Sequence, residues 1–311
     1  MSALPNLRHL RYLVALHDHL NFGRAAAACC VTQSTLSAGI RELETQLGAQ
    51  VAERSKRSVV ITPLGHRLVA QARSLLREAE ALMAMAAENG NPMAGTIDLG
   101  VLPTIGPFLL PRLIPALGRQ FPQLRLTLRE DHSGNLLDQL AQGRLDLVLM
   151  AFPYDTPGME AFLLFEDAYR LVTHTTDATV PPPGGRLPLV SQIEGRNLLL
   201  LEHDHCLHGQ AMPALQQAAD VGRINFASTS LHTLVAMVAA GMGATLLPDL
   251  AITGGILRGI PVTVQPLGDA EGKRTIGLCW RRNAARRETF LELGRFLHAW
   301  AARHVKPWAP A

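Results

Sequence analysis

Reactive side chains concentrate in one short stretch, Glu202-His203-Asp204-His205-Cys206-Leu207-His208-Gly209-Gln210-Ala211-Met212. Cys206 has a histidine on each side within two residues. Cationic or dipolar neighbours stabilise a thiolate, and the thiolate is the species that attacks peroxides. A second chemistry is open to the same residues. Three imidazoles and a thiolate, from His203, His205, His208 and Cys206, are suitable ligands for zinc or copper. Their spacing matches no standard zinc pattern, and successive residues on a strand alternate sides.

Such a group needs elements to hold it. The apolar run Leu198 to Leu201 predicts a strand that delivers the stretch at its end. Pro213 fits the first turn of a following helix and is poorly tolerated in its middle, so residues 203–211 read as irregular backbone that can change conformation. Around this segment, strands alternate with helices. GTIDLGVLP, QLRLTLRE and RLDLVLMA read as strands, with helical stretches near 107–120 and 134–142. EDAYRLVTH, RNLLLLE, INFAS and ATLLP follow, with a helix over Leu231–Ala240, then the strand RTIGLCW and a closing helix over Arg286–His304. Alternation of this kind predicts parallel α/β sheets.

The first ninety residues follow a different pattern. Asn21 can cap a helix that carries Phe22, Ala25, Ala26 and Cys29 on one face. Val31-Thr32 forms a turn, and Thr32 can cap a second helix whose buried stripe is Leu36, Ile40, Leu43 and Leu47. The opposite face presents Gln33, Ser34, Thr35, Ser37 and Arg41, short hydrogen-bonding groups and a guanidinium suited to base edges in a major groove. Leu7, Leu10, Leu13 and Val14 mark an earlier helix that backs the pair. Val51 to Ile61 reads as a hairpin whose tip carries Arg54, Lys56 and Arg57, placed as a wing along phosphates. Thr62-Pro63 starts a long helix with the apolar stripe Leu64, Leu68, Ala72, Leu75, Ala79, Leu82 and Ala86. One narrow stripe on a long helix predicts pairing with a second copy of the chain, with packing on its own chain as the alternative.

Composition agrees with this division. Residues 1–90 carry ten Lys/Arg against seven Asp/Glu, while the remaining residues carry nineteen of each, so the whole net charge of +3 lies with the candidate DNA reader. Four cysteines in 311 residues are too few for a disulfide scaffold. No apolar run approaches the roughly 20 residues of a membrane span, and no export signal is legible, so a reducing cytoplasm is expected. No Gly-rich phosphate loop or nucleophilic triad is present, and no enzyme activity is expected.

Residues 1–90, three helices, a wing and a linker helix, resemble the N-terminal part of LysR-type transcriptional regulators. The later segments LPTIGP, HCL-x-x-QAM, TSLHTLVAMVAAGMGATLLP and RTIGL resemble the OxyR-type, peroxide-sensing branch of that family. The resemblance implies a winged helix-turn-helix domain at 1–62, a dimerising linker helix at 63–91 and a periplasmic-binding-protein-like sensing domain at 92–311. Subdomain I of that domain would be about 92–165 and 269–311, and subdomain II about 166–268. It implies Cys206 as the redox sensor, with Thr104, His205, Arg274 and Ser133 about the peroxide. It implies the DNA-facing residues named above, with Arg54 as the wing arginine, and Leu68, Leu75 and Leu82 as the dimer seam. The implied partners are operator DNA, further copies of the chain up to a dimer of dimers, and RNA polymerase, with no cofactor. One departure stands out: Leu215 occupies the position of the branch's second, resolving cysteine, and Gly209 replaces an acidic residue. That departure keeps open a regulator whose cleft binds a small organic effector.

Overall fold

The computed structural model describes residues 4–54, 59–87, 92–176, 197–201, 223–224, 230–267 and 272–309. Two compact units divide the chain. In the first, α1 (Leu7–His19), α2 (Phe22–Ala28) and α3 (Gln33–Leu47) precede a hairpin of β1 (Ala52–Arg54) and β2 (Val59–Ile61) and the long α4 (Pro63–Ala87). Local capping sets the boundaries. The Asn21 side chain accepts a hydrogen bond from Arg24 N at 3.0 Å, and Thr32 Oγ1 accepts one from Thr35 N at 3.2 Å. Thr62 Oγ1 does the same for Gly65 N at 3.0 Å. Each satisfies a donor that the first helical turn leaves free.

Leu10, Leu13, Leu16, Leu36, Ile40 and Leu43 are buried together with Val51, Ile61, Val69 and Ala72. Leu7 and Leu47, read as part of the stripes of α1 and α3, are exposed instead. They sit at the first and last positions of their helices. Gly39 permits the close approach of α1 to α3: a Cβ there would lie 2.7 Å from a ring carbon of Tyr12. Glu44 ties the end of α3 to the wing, its Oε1 accepting from Val51 N at 3.0 Å.

The second unit holds β3 (Gly95–Val101), α5 (Gly106–Gln120), β4 (Leu124–Glu130), β5 (Leu147–Phe152) and β6 (Met159–His174). β7 (Leu198–Leu199), β8 (Arg223–Ile224), α7 (Leu231–Ala239), β9 (Ala244–Pro248) and α8 (Asp249–Thr253) follow. β10 (Val262–Pro266), β11 (Lys273–Arg281) and α9 (Arg287–His304) complete it. The helix α6 (Ser133–Ala141) lies between β4 and β5. The strand order is β4-β3-β5-β11-β6-β9-β7-β8, with β10 also on β6.

The expectation of parallel sheets holds for two parts of this order. β3 pairs parallel with β4 and β5, and β7 pairs parallel with β8 and β9. It fails in the middle, where β11 runs antiparallel to β5 and β6, and β6 runs antiparallel to β9 and β10. The cause is β6 itself. Its first part, through Ala168, pairs with β11, and from Tyr169 onward it pairs with β9. One continuous strand therefore belongs to both sheets, and β11 returns beside it. The sequence reading took only its second half as a strand and did not anticipate β10 or α8.

Candidate functional site

Thr104 lies just beyond β3, and Ser133 opens α6 just beyond β4. β3 and β4 are parallel neighbours, so both residues stand at the carboxyl end of the same strand pair, where open α/β sheets bind ligands. Both are buried. Ser133 Oγ makes no hydrogen bond among the described residues.

Arg274 reaches Thr104 from β11. Its Nη1 donates to Thr104 Oγ1 at 2.9 Å and its Nη2 donates to the Thr104 carbonyl at 3.1 Å. Because Oγ1 accepts from the guanidinium, the threonine keeps its own O–H proton to donate elsewhere. Arg274 is 1% exposed, and a charge so placed needs compensation. Asp167 supplies it, its Oδ2 accepting from Arg274 Nε at 3.0 Å, while its Oδ1 accepts from Leu250 N at 2.9 Å. The Tyr169 ring lies 5.8 Å from the guanidinium carbon. Burial pushes the Asp167 carboxyl above its ordinary range, opposed chiefly by the Arg274 charge.

A second pair stands three residues along β6. Arg170 binds Asp249 in a bidentate fork, Nε to Oδ1 at 2.7 Å and Nη2 to Oδ2 at 2.8 Å. Trp308 covers Arg170, its ring centre 5.4 Å from the guanidinium carbon. Sequence reasoning named Thr104, Arg274 and Ser133 but missed Asp167, Tyr169, Arg170 and Asp249. A signal existed: Asp167 and Arg170 are charged residues set among Phe165, Ala168, Tyr169, Leu171 and Val172, and a charge that such a strand buries demands a partner of opposite sign.

His203, His205, Cys206, His208 and Leu215 lie outside the described residues, so the structure places neither the thiol nor the alternative metal set. The other cysteines are described. Cys279 is buried, and burial pushes its thiol up to about 12. Cys29 is half-buried and is likewise pushed upward by burial. Cys30 is exposed. It follows the end of α2 with a φ of 55°, which turns it out of the helix.

On the first unit, Gln33, Ser34, Thr35 and Arg41 are exposed along α3, and Ser37 is half-buried. Arg41 Nη2 donates to Ser37 Oγ at 3.3 Å. Ser34 and Thr35 also serve the cap, with hydroxyl oxygens 2.9 and 2.8 Å from Thr32 Oγ1. Arg54 ends β1, while Lys56 and Arg57 lie outside the described residues. Along α4, Leu68 packs against the core, whereas Leu75 and Leu82 are exposed.

Residues 7–66 match the bacterial regulatory helix-turn-helix family of lysR type, and residues 90–302 match the LysR substrate binding domain. A hydrogen peroxide-inducible genes activator from Dickeya chrysanthemi is 41% identical over 288 residues, covering 93% of each chain. The structure of a full-length OxyR variant from Pseudomonas aeruginosa covers 95% of each chain with a TM-score of 0.79 and 31% identity. A hydrogen-peroxide-bound OxyR mutant from Corynebacterium glutamicum, also 31% identical, aligns over 96% of this chain and 94% of that one with a TM-score of 0.63.

Proposed function

Since this chain belongs to the LysR family of bacterial DNA-binding transcriptional regulators, we propose that it is an OxyR-type regulator that senses hydrogen peroxide through Cys206. The observation that carries the reading is the Arg274–Thr104 hydrogen bond at the carboxyl end of β3. It leaves a charge-polarised hydroxyl ready to donate to a small oxygen ligand, as a peroxide reaction needs.

In this reading the Cys206 thiolate attacks one peroxide oxygen, the O–O bond breaks, and the other oxygen leaves as hydroxide, which takes up a proton as water. The sulfur becomes a sulfenic acid. Thr104 and His205 hold and polarise the peroxide, Arg274 acts through its hydrogen bond to the Thr104 hydroxyl that meets the developing negative charge, and Ser133 offers a further hydroxyl. Leu215 cannot resolve the sulfenic acid as a second cysteine would. The acid persists until an outside thiol caps it as a mixed disulfide, water leaving.

The output is transcription. Gln33, Ser34, Thr35, Ser37 and Arg41 read bases, while Arg54, Lys56 and Arg57 meet phosphates. Leu75 and Leu82 seal a dimer through α4, beside Leu68, which packs on the core of its own chain; dimers pair into tetramers, and the bound assembly contacts RNA polymerase in the cytoplasm. The domain division at 1–62, 63–91 and 92–311 serves that scheme.

Mass spectrometry of the purified protein after brief peroxide treatment, with and without a sulfenic-acid trap, tests the reading. One added oxygen at Cys206, and loss of the peroxide-dependent footprint in Cys206→Ser, are expected. A footprint that still responds in Cys206→Ser overturns it in favour of a small-effector regulator.

A further inference from the structure

Asp167 is buried, titratable and absent from the chemistry above. We infer that Asp167 sets the ligand class of the Thr104 site: by neutralising Arg274 it makes the site accept small neutral hydrogen-bonding molecules and refuse carboxylates and other small anions. This rests on the reading that Thr104 meets the ligand.

A buried guanidinium beside a hydroxyl is by itself an anion receptor, because Arg presents forked donors that match a carboxylate. Here the fork is occupied. Nε goes to Asp167 Oδ2, Nη1 and Nη2 go to Thr104, and Nη2 also stands 3.0 Å from the same Asp167 oxygen. The neighbouring pair, Arg170 with Asp249, is closed on itself in both bonds. The two pairs, Arg274 with Asp167 and Arg170 with Asp249, therefore sum to zero, and each of the two guanidiniums has its carboxylate.

The opposite sign is present nearby. Glu130 presses on the loop after Thr104, its Oε1 lying 2.5 Å from where a Cβ on Gly106 would sit. The N-terminus of α5 at Gly106 offers about half a positive charge, which this carboxylate offsets. Among the described residues, an anion at Thr104 would meet the carboxylates of Asp167 and Glu130, while the Arg274 and Arg170 charges that could offset its desolvation are already engaged by Asp167 and Asp249. A neutral hydroperoxide avoids that cost and still receives the threonine proton.

The experiment uses the full-length protein and titrates sodium formate, with formamide as the neutral control, into the parent, Asp167→Asn and Asp167→Glu. Asparagine keeps the size of the aspartate and removes its charge. Calorimetry should show saturable formate binding to Asp167→Asn, at least about tenfold tighter than to the parent, with formamide binding all three alike. Asp167→Glu should behave as the parent. If Asp167→Asn fails to fold alone, refolding yield should be recovered by formate and not by formamide. Equal formate affinity in the parent and Asp167→Asn, or no binding and no rescue in Asp167→Asn, overturns the inference. None of these readouts involves Cys206. Peroxide oxidation of Cys206 followed in parallel separates the two readings: unmodified parent Cys206 sinks the sensor chemistry, while the formate titration still decides the role of Asp167.

Discussion

Asp167 and Arg274 are register partners on the antiparallel strands β6 and β11, and their side chains close the same contact, Oδ2 to Nε at 3.0 Å. The two positions flank the crossing between the sheets: β6 switches partner one residue past Ala168, and β11 begins at Lys273. A charge pair thus fastens the two crossover strands to the Thr104 loop and, through Leu250 N, to α8.

Arg274→Met should be costly, because it strands a carboxylate that is 3% exposed. Breaking a buried pair by removing one partner typically destabilises by about 3–5 kcal/mol. The double replacement of Asp167 and Arg274 by neutral residues should cost less than Arg274→Met alone. Urea denaturation of Arg274→Met, Asp167→Asn and the double variant checks this. A double variant as unstable as the sum of the two single variants would remove the coupling.

The deficit of Arg274→Met should depend on pH. Burial raises the Asp167 carboxyl above its ordinary value of 3.8, and Arg274 opposes the rise. Without that cation, the folded variant holds a proton that the unfolded chain releases above 3.8. A raised carboxyl favours folding at low pH, and that stability is lost as pH rises through the folded value. Denaturation from acid to neutral pH should show the gap to the parent widening. A constant gap argues against charge as its cause.

Cysteine reactivity should follow burial. Cys279, pushed up to about 12, stays a thiol at neutral pH and should resist alkylation in the folded protein. Cys30, exposed beside the turn into α3, should react readily. Peroxide should modify Cys206 before either. Peptide mapping after timed iodoacetamide or peroxide exposure ranks them, and early labelling of Cys279 would contradict the buried placement.

Assembly should depend on α4. Leu75 is 46% exposed and Leu82 67% exposed, large apolar side chains that a single chain leaves in water. Leu75→Asp should give monomers in sedimentation and weak operator binding, since paired half-sites need a two-fold reader. A wild-type protein that sediments as a monomer would refute the seam.

DNA reading should separate helix from wing. Gln33→Ala should change which operator is preferred. Arg57→Ala should weaken specific and random DNA alike and flatten the log–log salt slope by about one. Binding isotherms across salt concentrations on both DNAs distinguish them, and identical effects of the two substitutions would dissolve the assignment.

Sequence alone determined what depends on near neighbours. Asn21 and Thr32 cap helices because a side chain and the N–H it satisfies lie within three residues. The apolar stripes of α1 and α3 were legible for the same reason, except at Leu7 and Leu47, the terminal residues of their helices, which are exposed. The alternation of strands and helices gave the α/β class, and the resemblance of the site segments pointed to Thr104 and Arg274. Tertiary structure decided what joins distant residues. Arg274 meets Asp167 from 107 residues away and Thr104 from 170, separations at which no local pattern constrains who pairs with whom. The antiparallel middle of the sheet arose because one strand was long enough to serve both halves. That same strand brought Asp167 to the buried guanidinium, whose charge it compensates.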